Sequence, residues 1–149
     1  MRKLPKSRWS YESLDKLCEI VIGRTPSRSE PKYWGKGNYW LSIADMGKNK
    51  ELTTTKETIT DEGADVCGKR LVTPGTIVFS FKLSIGKVGI IGCPMFTNEA
   101  IAALPIKDES ILNNNYLYYI LGSLDLTEEC DRAVKGRTLN KSKLAKIQI

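Results

Sequence analysis

The side chains of this 149-residue chain that could do chemistry are mostly cations, hydroxyls and amides, and several standard catalytic sets are missing. There is no histidine, so Ser–His and Cys–His nucleophile pairs are excluded. Cys18, Cys67, Cys93 and Cys130 stand far apart, and no two have metal-ligand spacing. A zinc site would need all four to converge, and they read instead as reduced, mostly buried thiols. Glu30-Pro31-Lys32 has the letters of a nuclease Glu-x-Lys phrase, but it sits in a Pro-rich loop without a preceding strand Asp. Gly86-Lys87-Val88 lacks the spacing and the hydroxyl of a phosphate-binding loop. No Pro-Pro pair is present for a base-holding methyltransferase motif.

What remains are short clusters of donors beside Gly or Pro. Arg24, Thr25 and Ser27 surround Pro26. Lys82, Ser84 and Lys87 flank a tight turn. Lys135, Arg137, Thr138 and Asn140 surround Gly136. Lys and Arg pair with phosphate oxygens and guanine edges, Ser and Thr with phosphate, and Asn with adenine. Each cluster also has an ordinary reading, as a capped turn or a solvated hairpin. Arg137 is the strongest single candidate, because its planar fork suits two-point contact with guanine or one phosphate. Thr97 and Asn98 form a further pair, equally suited to stabilising a turn. Trp34, Tyr33 and Trp40 could stack on a displaced base, but such residues are more often core. Tyr116, Tyr118 and Tyr119 read as core and helix surface.

Charge supports a polyanion as partner. The net charge is +6, distributed in alternating blocks: +5 over residues 1–36, −3 over 37–68, +4 over 69–107, −6 over 108–131 and +6 over 132–149. If the three basic blocks share a face, they form a cationic surface. The alternative is that they scatter and merely solvate the protein. No apolar run approaches the roughly 20 residues of a bilayer span. The basic start, residues 1–6, is not followed by an apolar signal core, so a cytoplasmic location is expected.

These clusters need a scaffold. Residues 11–22 carry a helix-like stripe, although 18–22 would serve equally as a strand. Residues 23–38 form a long loop and 39–43 a strand, and 44–56 are a polar connection. Residues 60–64 form a turn or helix start. After the Pro74-Gly75 turn, strands are expected over 76–81, 87–91 and 100–106, the last ended by Pro105. Helices follow over 114–121, 124–134 and 139–147, the last capped by Asn140 or Ser142. The expected fold is a single α+β domain over residues 1–149, with strands central in sequence and helices toward the C-terminus.

The ordered set of phrases has a counterpart in a known family. Gly23-Arg24-Thr25-Pro26-Ser27, Tyr33-Trp34-Gly35, Tyr39-Trp40-Leu41-Ser42, Pro74-Gly75-Thr76-Ile77-Val78-Phe79-Ser80, Ser84-Ile85-Gly86-Lys87-Val88-Gly89, Thr97-Asn98-Glu99-Ala100, Tyr116-Leu117-Tyr118-Tyr119 and Gly136-Arg137-Thr138-Leu139-Asn140 occur in that order. Each is weak alone. Together, over roughly residues 9–149, they resemble the target recognition domain of type I restriction-modification specificity subunits.

The resemblance implies a non-catalytic domain that binds double-stranded DNA at one half of a bipartite target and directs the modification (methyltransferase) and restriction subunits there. S-adenosylmethionine, ATP and magnesium would belong to those partner subunits. The family normally carries two such domains separated by long helices. Here the chain stops at Ile147-Gln148-Ile149, where the first long helix would be due, which reads as a trimmed chain or a half-subunit able to self-associate or pair with a second half. Glu99 stands where members often have Gln, and the 136–140 phrase lacks the usual Gln after Thr, so the target sequence does not transfer. The rival reading is a protein-interaction or assembly fragment with weak DNA affinity.

Overall fold

The computed structural model describes residues 11–68, 70–82, 84–124 and 140–149. The strands are β1 (Val21–Ile22), β2 (Trp34–Leu41), β3 (Glu51–Leu52), β4 (Glu57–Ile59), β5 (Ile77–Ser80), β6 (Val88–Ile91), β7 (Phe96–Thr97) and β8 (Ile101–Leu104). The helices are α1 (Leu14–Leu17), α2 (Asp61–Cys67), α3 (Asn114–Ser123) and α4 (Lys141–Ala145).

A five-stranded sheet, in the order β1-β8-β5-β6-β3, forms the centre. β5 pairs antiparallel with both β6 and β8, with Val78 opposite Gly89 on one side and Ala103 on the other. The strand period of two decides which core each residue joins. Ile77 and Phe79 of β5, with Ala102 and Leu104 of β8, pack against Leu14 of α1, Leu117 and Leu121 of α3 and Leu144 of α4. Val78, Ile101, Ala103 and Ile91 face the other way and meet Leu41, Met46, Leu52 and Met95. Because both faces are covered, β5 and β8 are buried throughout, β8 as an unbroken apolar run and β5 with only Ser80 polar.

A smaller sheet, in the order β4-β2-β7, lies under α2. Its core is Trp40, Ile59, Cys67 and Phe96. Helices α2, α3 and α4 start where side chains accept from otherwise unpaired N–H groups. Thr60 caps α2 through the Gly63 amide at 3.2 Å. Asn113 caps α3 through Asn115 at 2.8 Å and Tyr116 at 3.3 Å. Asn140 caps α4 through Lys143 at 2.8 Å.

The expected α+β class is observed. The ambiguity over residues 11–22 resolves as both options, a one-turn helix followed by β1. The expected loop over 23–38 is shorter than anticipated, because β2 begins at Trp34. The polar connection over 44–56 contains β3, a two-residue edge strand paired parallel to β6. Beyond Leu124, the helix expected over 124–134 lies outside the described residues.

Candidate nucleic-acid interface

The loop after β1 is held by its backbone. Gly23 crosses directly beneath residues 97 and 98, and a Cβ there would collide with the Thr97 and Asn98 carbonyls. The Gly23 amide donates to the Ile101 carbonyl at 3.1 Å and the Arg24 amide to the Thr97 carbonyl at 2.9 Å. The Arg24 carbonyl then accepts from the Trp40 indole N–H at 3.1 Å and from the Cys67 thiol at 3.5 Å. Three residues on, the Ser27 carbonyl accepts from the Trp34 indole N–H at 3.1 Å. The two tryptophans contact edge to face, 5.0 Å between centroids.

Both tryptophans are therefore clamps, Trp40 buried and Trp34 partly exposed. Their indole N–H groups aim at carbonyls of the loop backbone. The guanidinium of Arg24 is exposed and makes no hydrogen bond among the described residues. Ser27 is exposed, its hydroxyl 2.9 Å from that of Ser29. Thr25 donates its hydroxyl to the Glu99 carboxylate. Burial pushes the Cys67 thiol up, while Arg24 and Arg70 pull it the other way.

Sequence reasoning missed Arg28. Its guanidinium lies 4.5 Å from the Trp34 ring centroid and 5.3 Å from that of Trp40. The same group grips both oxygens of Glu57, at 2.7 and 3.2 Å. The sequence signal was faint, an Arg six residues before a Trp in a loop.

The turn over residues 97–100 connects this loop to the next cluster. Thr97 is 1% exposed, which withdraws it from the surface as a contact residue. Asn98 accepts the Ala100 amide on its side chain at 2.9 Å, and its own amide donates to the Leu41 carbonyl at 3.0 Å. Both residues shape the turn, which was the ordinary reading. The Ala100 carbonyl accepts from the Phe81 amide at 3.0 Å, so the hairpin between β5 and β6 starts beside this turn.

That hairpin is folded over a buried hydroxyl. Ser80 Oγ donates to the Ser84 carbonyl and accepts from the Lys87 amide at 2.9 Å. Gly86 takes a φ of +100°, a left-handed conformation that glycine adopts without a Cβ clash. The turn between β5 and β6 is thus compact, with Ile85 packed against the first core. Lys82 stays partly exposed, its ammonium 5.3 Å from the Phe81 ring. Lys87 instead reaches across to the Ile43 carbonyl at 3.4 Å. Of the third cluster, Asn140 is exposed and caps α4, whereas Lys135, Arg137 and Thr138 lie outside the described residues.

Phrases far apart in the chain thus converge. Thr25 meets Glu99, 74 residues away, and Gly23, Leu41, Phe81 and Ala100 join one hydrogen-bonded hub. A profile of the type I restriction modification DNA specificity domain matches residues 6–149. The chain belongs to that family. It is 27% identical to the MjaIX specificity subunit of Methanocaldococcus jannaschii, over 99% of this chain and 34% of that protein. With the HindI specificity subunit of Haemophilus influenzae it shares 28% identity, over 95% of this chain and 31% of the relative. The chain therefore spans about a third of the length of the relatives it matches. The HsdS subunit from Thermoanaerobacter tengcongensis shares the fold, with a TM-score of 0.65 at 22% identity over 99% of this chain and 34% of that one. A chain from a type I R-M system complex does so with a TM-score of 0.70 at 23% identity, over 99% and 35%.

The described residues contain no cluster of three or more potential metal ligands. None of their helices is long and apolar enough to cross a membrane. Burial pushes the Cys18 thiol up to about 11, which suits an inert core cysteine.

Proposed function

We propose that this domain binds double-stranded DNA sequence-specifically at one half of a bipartite target, without catalysing a reaction, and directs methyltransferase and restriction subunits to that site in the cytoplasm. The observation that carries the reading is the loop over residues 23–28. Its backbone is clamped by two indole N–H groups and the 97–100 turn, and the clamp leaves Arg24 and Ser27 exposed. A fixed backbone with outward donors lowers the ordering cost of each contact, which favours discrimination between base sequences. S-adenosylmethionine, ATP and magnesium would be bound by the partner subunits.

The test is selection from a random duplex library at physiological salt, followed by titration of the selected and a random duplex. Enrichment of one short motif is expected. Neutralising roughly 4–6 phosphates gives a log–log salt slope of about −4 to −5. No enrichment, or an affinity that ignores salt, would overturn the reading in favour of an assembly fragment.

A further inference from the structure

A second cationic surface forms where the 47–50 segment meets parts of the Ser84–Gly89 and Tyr116–Tyr119 phrases. An open groove of about 580 Å³ runs between the 47–50 segment, the end of the β5–β6 hairpin and the last turns of α3. Lys48, Asn49, Lys50, Lys87, Tyr118 and Tyr119 supply its polar and aromatic lining, and among the described residues no carboxylate lines it. The ion pairs among the described residues are Lys16–Glu12 and Arg28–Glu57, so no described acid neutralises these three lysines.

The two tyrosines hold one of the lysines in place. The Lys50 ammonium sits 4.7 Å from the Tyr119 centroid and 5.1 Å from that of Tyr118. It also donates to the Tyr119 hydroxyl at 3.2 Å. The rings meet edge to face at 5.1 Å. Aromatic faces attract an ammonium but leave its charge intact, unlike a carboxylate. The Lys50 ammonium lies against both rings, while Tyr119 remains exposed. Lys87 is also positioned, by the Ile43 carbonyl and by its stem passing over Gly47.

We propose that this groove is a phosphate clamp, gripping the sugar-phosphate backbone of the bound duplex through Lys48, Lys50 and Lys87 without reading its sequence. The proposal rests on the DNA-binding function argued above. Ammonium groups serve as point charges for phosphate, and a lining of ammonium groups without a described planar fork fits backbone contact rather than base contact. It places Lys87 with the grip and not with base recognition.

The test uses the whole chain and the two duplexes, titrated at several salt concentrations. Lys50→Gln and Lys48→Gln should each weaken both duplexes by the same factor, a few-fold, and flatten the salt slope by about 1. Tyr119→Phe keeps the ring under the ammonium and should lose less. Lys16→Gln removes an equal charge from α1 and should change little. Thermal melting checks that each variant folds; Lys48 is exposed, so its variant carries the test if Lys50→Gln proves unstable. Variants that bind as the parent does would overturn the clamp while leaving the DNA-binding function standing. So would an equal loss from Lys16→Gln, which would mean net charge alone. A loss confined to the selected duplex would make the groove a reader and overturn the clamp too. A parent that binds no duplex would sink both proposals.

Discussion

The loop over residues 23–28 and the groove beside α3 both present cations, and they hold them by different means. In the loop, the backbone is fixed by indole N–H donors, and one of the two arginines is neutralised by Glu57. In the groove, side chains are fixed by ring faces and a carbonyl, and no described acid neutralises them. Net positive charge attracts any phosphate chain, whereas a rigid backbone with few free donors rewards only the matching base edge. The difference argues for a division of labour, discrimination at the loop and grip at the groove.

The largest expected effect comes from removing the loop's anchor. Trp40 is 1% exposed and belongs to the core under α2. Trp40→Ala should cost roughly 3–5 kcal/mol of stability. Trp40→Phe keeps most of the volume but strips the Arg24 carbonyl of its indole donor, for about 1–3 kcal/mol. The informative result is the Phe variant, by denaturant unfolding and duplex titration. It should keep affinity for a random duplex and lose preference for the selected one. Equal losses on both duplexes would erase the proposed division.

Gly23→Ala should act next, and in the same direction. A Cβ there meets backbone carbonyls, which cannot yield as a flexible side-chain end would. Overpacking of that kind costs about 1–3 kcal/mol. The loop must lift off the 97–100 turn, so discrimination should fall with stability. Full specificity in a stable variant would show that the loop's exact seat is unimportant.

Arg24→Ala leaves the clamp intact, because the hydrogen bonds Arg24 makes among the described residues are those of its backbone. Stability should hold. If the guanidinium contacts a base, discrimination should drop by about 1–3 kcal/mol. If it contacts phosphate, both duplexes should weaken alike. The ratio of the two affinities decides, and the second outcome would make Arg24 part of the grip.

These contrasts were only half legible in the sequence. β5, β6 and β8 were readable because β-branched and aromatic runs bounded by Pro74-Gly75 and Pro105 have one good solution. β3 and β7 were not, since two-residue strands carry no period and exist through their partners, β6 and β2. Arg24 and Thr25 announced themselves through Pro26 and the family phrase. The clamp did not, because no local rule links Trp40 to the carbonyl of Arg24, 16 residues earlier. The groove was hidden by arithmetic along the chain: Lys48 and Lys50 belong to a block of net charge −3, and Tyr118 and Tyr119 read as core and helix surface. Folding brings Lys50 against Tyr119, 69 residues away in the chain.

The smallest expected effect gives the sharpest contrast, because it makes the loop resemble the groove. Arg28 is held twice, by Glu57 and by the faces of Trp34 and Trp40. Both side chains of the ion pair are exposed, Arg28 at 58% and Glu57 at 38%. An exposed pair is worth about 0–1 kcal/mol, and a surface cation–π contact about 0.5–1 kcal/mol. Glu57→Gln should therefore change stability by no more than about 1 kcal/mol, with Arg28 still seated on the rings. What changes is charge. The variant turns a neutralised arginine into an aromatic-held, unneutralised one, as Lys50 already is. Affinity for a random duplex should rise slightly, with a salt slope steeper by up to about 1, while the preference for the selected duplex narrows. Titration of both duplexes across salt, alongside thermal melting, measures each term. If random-duplex affinity does not rise in a variant as stable as the parent, the pairing of Arg28 with Glu57 is not what keeps this loop from gripping DNA indiscriminately, and the contrast must then rest on backbone rigidity alone.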